Sequence, residues 1–260
     1  MLIDTHVHLD DPRYDPDRED MFRRAEEVGV RTFITIGCDL TTSQAAVSLA
    51  DSRANVFATV GVHPHEAKEI QQDWYPQLCN LAGHAKVVAF GEIGLDFHYD
   101  HSPRDLQCQR FREQIQLARN FGLPLVIHTR EAKKETIQIL KEEQAQELGG
   151  VFHCFSEDAW LAQEALSLGF YLSFSGIITF RNAQPLRDII QTVPDDRLLI
   201  ETDAPYLTPV PFRGQRNESA HVKFVAEQIA SIKYGDSSTG LEQTARLTSE
   251  NAKRLFKISS

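Results

Sequence analysis

Leu2-Ile3-Asp4-Thr5-His6-Val7-His8-Leu9-Asp10 begins as an apolar run and ends in His-x-His. Residues two apart in a β-strand point to the same side. As a strand, the run would project His6 and His8 together from its end, as two imidazoles holding one metal ion would. Taken alone, the pair reads equally as two surface histidines near a chain end. The choice depends on whether the run belongs to a series whose other members bring partners to the same end.

Seven further apolar runs follow, at residues 32–37, 56–62, 87–92, 125–128, 150–154, 170–174 and 198–201. Several are near-continuous Val, Ile, Leu and Phe, as expected of parallel strands buried on both faces. Amphipathic stretches separate them, at 17–28, 42–50, 74–82, 104–121, 131–147, 159–168 and 185–191, and two more close the chain at 220–232 and 241–256. Gly29, Gly83, Gly122, Gly149 and Gly169 each stand between a helical stretch and the next run, the αβ turn of a parallel α/β fold. Eight such units over 260 residues predict one domain spanning 1–260, a (β/α)8 TIM barrel. The main alternative is an open doubly wound sheet. Its dinucleotide-binding version lacks support, because no G-x-G-x-x-G follows the first run.

Composition narrows the function classes. A hydrophobic content of 42% and a charged content of 25% are those of a soluble globular protein. No apolar run approaches the roughly 20 residues of a membrane span, and Asp4, His6 and His8 interrupt any N-terminal signal segment. Cys38, Cys79, Cys108 and Cys154 form no C-x-x-C, so free thiols in a reducing cytoplasm are expected. A net charge of −10 argues against broad adhesion to nucleic acid, though not against an enzyme that handles phosphate through a metal and a few arginines. A monomer is expected.

In a barrel of this kind the C-terminal strand ends carry the chemistry. Six of the ten histidines fall there: His6 and His8, His63 and His65, His128, and His153. Glu92 and Asp203 join them. Each residue has a bland reading, as a satisfied core histidine, a buried carboxylate paired to arginine, or a turn aspartate, but together those readings leave the clustering unexplained. Imidazole and carboxylate donors suit Zn²⁺, Mn²⁺, Fe²⁺, Co²⁺ or Ni²⁺, and an oxygen-rich site suits Mg²⁺. Four histidines and two carboxylates exceed the needs of one catalytic ion with an open position. They suit two ions about 3.5–4 Å apart with Glu92 as the bridge. His6, His8, Glu92 and Asp203 are assigned to one ion, and Glu92, His128 and His153 to the other. Such a centre makes hydroxide available near neutral pH. Asp203 is the candidate general base, and His63 the candidate substrate contact or proton donor.

Arg130, Arg181, Arg213 and Arg216 follow strand ends on the same face. Four arginines on one rim of an acidic protein suggest phosphate recognition. Phe155, Phe180, Tyr206 and Phe212 lie on the same loops and could stack bases or simply pack against the barrel. The long loop 203–217 is expected to be functional.

The combination Asp4-Thr5-His6-Val7-His8-Leu9, Gly61-Val62-His63-Pro64-His65, Gly91-Glu92-Ile93-Gly94-Leu95-Asp96, His128-Thr129-Arg130, His153-Cys154-Phe155, Phe174-Ser175-Gly176 and Glu201-Thr202-Asp203-Ala204-Pro205-Tyr206 resembles the TatD family of metal-dependent deoxyribonucleases. The resemblance covers nearly the whole chain. It implies a TIM barrel, two divalent ions held by His6, His8, Glu92, His128, His153 and Asp203, and hydrolysis of DNA phosphodiesters from a 3′ end. The wider superfamily often bridges its metals with a carboxylated lysine, and Glu92 at that place favours the TatD branch. The competing expectation is a small-molecule hydrolase or phosphoesterase working with the same metal chemistry.

Overall fold

The computed structural model describes residues 1–235 and 237–258. Eight parallel strands pair in chain order: β1 (Leu2–Val7), β2 (Val30–Thr35), β3 (Val56–Val60), β4 (Val87–Asp96), β5 (Leu125–Arg130), β6 (Gly150–Phe152), β7 (Tyr171–Phe174) and β8 (Leu198–Ile200). Between and after them run α1 (Arg18–Glu27), α2 (Leu40–Ser52), α3 (Trp74–Ala82), α4 (Arg104–Phe121), α5 (Lys133–Glu142), α6 (Ala159–Ser167), α7 (Gln184–Thr192), α8 (Val222–Tyr234) and α9 (Gly240–Phe256). The architecture is the (β/α)8 barrel expected from the alternation of runs and helical stretches. Among the described residues no helix is long and apolar enough to cross a membrane.

The apolar residues separate into two cores. The larger lies between strands and helices and includes Phe22, Phe33, Phe90, Phe111 and Phe170. The smaller takes Ile3, Val88, Val126, Val151, Tyr171 and Leu199 from the first two residues of their strands and Ile34 from β2, together with Leu255, Phe256 and Ile258. These residues fill the barrel interior at its N-terminal end, with the last turn of α9 as the plug. Because strand side chains alternate, the interior phase set by Ile34, Val126, Val151 and Leu199 recurs at Cys38, His128, His153 and Glu201, toward the other end. The period that fills the bottom of the barrel with hydrocarbon therefore fills its mouth with metal-ligand chemistry.

Closure falls between the first and last strands. The Asp203 N–H donates to the His6 carbonyl at 2.9 Å, and the His8 N–H to the Ala204 carbonyl at 2.8 Å, with Val7 bridged to Ala204. Beneath this seam the fully buried Asp4 accepts from the Thr202 N–H at 2.9 Å and the Thr202 hydroxyl at 2.7 Å. Thr5 Oγ1 donates to the Ile200 carbonyl at 2.9 Å.

Most bounds lie within two residues of the sequence reading, and two differ by more. The fourth strand continues past Glu92 to Asp96, because Ile93, Gly94, Leu95 and Asp96 pair with Ile127, His128, Thr129 and Arg130 after a register shift. Gly94 permits this: its φ is +143°, and a Cβ there would collide with the His128 carbonyl oxygen. The helical stretch 131–147 is shorter than expected. Glu131 and Gln144 take left-handed φ values of 53° and 50°, so α5 covers only Lys133–Glu142 and a separate 3-10 turn, Ala145–Glu147, follows.

Asp4→Ala removes the acceptor of a buried N–H at the seam and is expected to cost about 2–3 kcal/mol. Asp4→Asn keeps one acceptor and should cost less than half as much. Urea denaturation of the two variants checks both figures.

Candidate metal centre

The strand phase explains how the ligand-type residues meet. β5 ends with His128 facing inward, and His153 stands one residue past the end of β6. Glu92 sits at the register shift of β4. The register of β1 also shifts, between Asp4 and Val7, so that His6 and His8 face the mouth while Val7 joins the outer core. Asp203 lies just beyond β8 and is held by the closure bond to His6.

Glu92 is nearly fully buried at the middle of the cluster, and its two oxygens face different groups. Oε2 is 3.4 Å from His6 Nε2. Oε1 is 2.6 Å from His153 Nε2, 2.8 Å from His128 Nδ1 and 3.4 Å from His63 Nε2. Asp203 Oδ1 lies 3.4 Å from His8 Nε2 and 3.6 Å from His6 Nε2. Donor atoms of His6, His8 and Asp203 come within 4.8 Å of one another, as do those of His63, Glu92 and His128.

Several details of the chain fit a cation here. Both ring nitrogens of the fully buried His6 lack a hydrogen-bond partner among the described residues, a costly arrangement for an imidazole unless one nitrogen binds a metal. The His6 and His153 rings stack at 4.0 Å. Two further carboxylates stand behind the histidines. His128 Nε2 meets Asp96 Oδ2 at 3.0 Å, and His153 Nδ1 meets Glu201 Oε1 at 3.2 Å. In both rings one nitrogen faces Glu92 and the other an outer carboxylate, the pairing that fixes tautomer and orientation in metal-ligating histidines.

Titration directions follow from the same crowding. Burial works to raise the Glu92 carboxyl, but His153, His63 and His128 outweigh it and hold the group well below its ordinary range. Asp203 likewise stays low, because His8 and His6 offset its burial. Burial lowers His6 and carries His63 down to about 4 despite Glu92. Both carboxylates are therefore ionised and both of these imidazoles neutral at neutral pH. His8, His128 and His153 are instead raised despite their burial, by Cys38 and Asp203, by Asp96 and Glu92, and by Glu92 and Glu201 respectively, so binding of a cation through these rings would release protons.

The rim residues divide. His63 lines the cleft beside Glu92, and Tyr206 lies half exposed across the mouth, edge-on to His8 at 5.9 Å with the Arg13 guanidinium over its ring. Arg130 lines a second arm of the cleft, its guanidinium 4.8 Å from the Tyr99 ring. Arg181 is exposed on the loop after β7. Arg213 lies 3.9 Å over Phe180 and donates to the Thr208 carbonyl. Arg216 is ion-paired with Asp17 at 2.6 and 2.8 Å. Neither of these last two lines either arm of the cleft, since each is bound to the packing of its own loop. Phe155 is buried, and Phe212 stacks on His221.

The sequence reading gave no role to Asp96, Glu201 or Cys38. For the first two a signal was present: each lies a whole number of two-residue strand periods from a designated residue, Asp96 four after Glu92 and Glu201 two before Asp203.

Fold and site together define a metal-dependent hydrolase on a (β/α)8 barrel. The chain belongs to the TatD family: the model of that family, described as TatD related DNase, matches residues 3–257. An uncharacterized metal-dependent hydrolase of Bacillus subtilis, YabD, is 45% identical over 99% of this chain and its own full length. A protein of Erwinia tasmaniensis named 3′-5′ ssDNA/RNA exonuclease TatD is 35% identical over 99% of this chain and its own full length. Among solved structures, the TatD homologue YjjV of Escherichia coli superposes with a TM-score of 0.92 at 30% identity, over 99% of this chain and 98% of its own.

Glu201→Gln and Asp96→Asn should each weaken metal binding about 10–100-fold while the fold persists. Titration of metal-free protein against a chelating dye measures this. Unchanged affinity in both variants would remove the outer carboxylates from the centre.

Proposed function

We propose that this chain is a two-metal phosphodiesterase that trims DNA from a 3′ end, acting on single strands. The observation that carries the reading is the division of Glu92, with Oε2 toward His6 and Oε1 toward His128 and His153. A carboxylate placed in this way suits the bridge between two ions, with His6, His8 and Asp203 on one side and His128 and His153 on the other. Two ions at such a centre supply a nucleophilic water at neutral pH and polarise the phosphoryl oxygen. Asp203, ionised and held against His6 and His8, takes up the proton of that water. His63 accepts the His65 N–H on Nδ1 at 3.1 Å, which leaves its own proton on Nε2, facing the cleft. From there the neutral ring offers a hydrogen bond to a substrate oxygen.

The cleft favours a short substrate segment. Its main arm is a cavity of about 500 Å³, a size ordinary for small-ligand sites. Asp10, Asp11 and Glu66 line that arm, and Glu131 and Glu157 line the other, beside the single cation Arg130. A basic track of the kind that holds long polynucleotides is missing from these lining residues, which suits an enzyme that engages a strand end through its ions. The nuclease named among the relatives supports the choice of substrate. The acidic lining equally favours a second reading, a small phosphoester as substrate.

Metal-loaded protein should shorten a 5′-labelled single-stranded oligonucleotide stepwise. Arg130→Ala should raise KM about tenfold with kcat retained, whereas Arg216→Ala, at a residue outside the cleft, should leave KM within about twofold. Failure to shorten the strand together with turnover of a small phosphodiester would transfer the assignment to the second reading. Replacing both His6 and His8 with alanine should lower bound metal from two ions per chain to one, measured by elemental analysis. Loss of both ions would refute the division of ligands.

A further inference from the structure

The turn after β2 brings a thiol into the centre, although neither the barrel nor the hydrolysis calls for sulfur there. Cys38 Sγ lies 3.9 Å from His8 Nδ1 and 3.8 Å from Glu92 Oε2, both within reach of a sulfur hydrogen bond. The backbone at this turn is tightly held. The Cys38 N–H donates to Thr42 Oγ1 at 2.8 Å, and the Cys38 carbonyl accepts the His63 N–H at 2.8 Å. The Gly37 carbonyl accepts the Glu92 N–H at 3.1 Å. Asp39 and Thr42 close the capping box of α2. The side chain therefore leaves from a fixed point that also positions the backbones of Glu92 and His63.

The two nitrogens of His8 face different neighbours. Nε2 faces Asp203 Oδ1 on the side of His6, where a ligand nitrogen belongs. Nδ1 faces Cys38. His128 and His153 each place a carboxylate behind the nitrogen that faces away from Glu92, and for His8 the corresponding place is taken by sulfur. We propose that Cys38 is a positioning residue of the metal centre: its sulfur accepts a hydrogen bond from His8 Nδ1–H, and its S–H donates to Glu92 Oε2. It thereby couples a ligand of one ion to the carboxylate shared by both. The proposal rests on the reading of His8 and Glu92 as ligands. A thiol is a weak donor and acceptor, so its effect belongs at the low end of the range for such partners, about tenfold in affinity.

The test is titration of metal-free full-length chain with Zn²⁺ and Co²⁺ against a chelating dye, for wild type, C38A, C38S and H8A. C38A should lower the affinity for one ion about tenfold, and C38S, which keeps a donor and an acceptor at the same place, should recover to within about threefold of wild type. The Co²⁺-loaded wild type should show no sulfur-to-cobalt charge-transfer absorption. Such a band, abolished in C38S, would make Cys38 a direct ligand and overturn the proposal. So would C38A binding as tightly as wild type. If H8A then still loses an ion, only the role of Cys38 fails; if H8A also binds normally, the ligand reading falls with it. Should C38A fail to fold, C38S and the cobalt spectrum decide.

Discussion

Closure of the barrel between β1 and β8 is the constraint on which the centre depends. His6 and His8 come from the beginning of the chain and Asp203 from its last quarter. Only the seam joins them, through Asp203 N–H to the His6 carbonyl and His8 N–H to the Ala204 carbonyl. An open sheet of the same strands would leave these residues on opposite edges. The seam is short, and it is reinforced by side chains lying below it, Asp4 to Thr202 and Thr5 to Ile200. Polar groups inside a barrel are costly unless bonded, and here those bonds lie across the one junction that lacks a continuous ladder.

The centre itself works against the stability of the fold. Buried imidazoles converge on Glu92, a carboxylate taken out of water, and the His6 nitrogens have no hydrogen-bond partner among the described residues. Removing such groups from solvent is expensive, and a divalent cation offsets the cost by giving the converging lone pairs a shared positive charge. The outer groups Asp96 and Glu201 then have a clear physical role. They contact one nitrogen of His128 and of His153 and so leave the other facing Glu92, which sets the ring planes. Their negative charge adds to the attraction of this cluster for a cation.

Most of the architecture was legible in the sequence because its signals are local. Continuous apolar runs identify strands buried on both faces, and glycine after five of the helical stretches identifies the turn back into the sheet. The bounds of β1, α3 and α4 read directly for this reason. The convergence of His6, His8, Glu92, His128, His153 and Asp203 was legible because a barrel puts all its strand ends on one face. Irregularity was harder to read. The shift in β4 that carries the strand on to Asp96 depends on pairing with β5 across thirty residues, which no local pattern records. The break of the helical stretch at Gln144 depends on a left-handed residue that is not glycine. Asp96 and Glu201 stand behind the His128 and His153 rings, and Cys38 beside His8 and Glu92, contacts that follow from distances in the fold rather than from residue type.

The arginines show how function and scaffold divide one residue type. Arg213 and Arg216 lie on the loop that begins at Asp203, and from sequence alone they have the same claim to phosphate as Arg130. In the fold their partners are Phe180, the Thr208 carbonyl and Asp17. Asp17 also pairs with Arg24, which itself holds Glu218. The loop is further fixed by Asn217, which donates to the Thr202 carbonyl and whose own carbonyl accepts the Tyr14 hydroxyl. These contacts tie the loop to the start of α1 and hold steady the turn that presents Asp203. A guanidinium that is stacked or paired in this way loses its contacts if it swings toward a substrate, whereas Arg130 already lines the cleft. Charge that appears, in sequence, to be available for phosphate is thus largely engaged in holding the loop that presents Asp203.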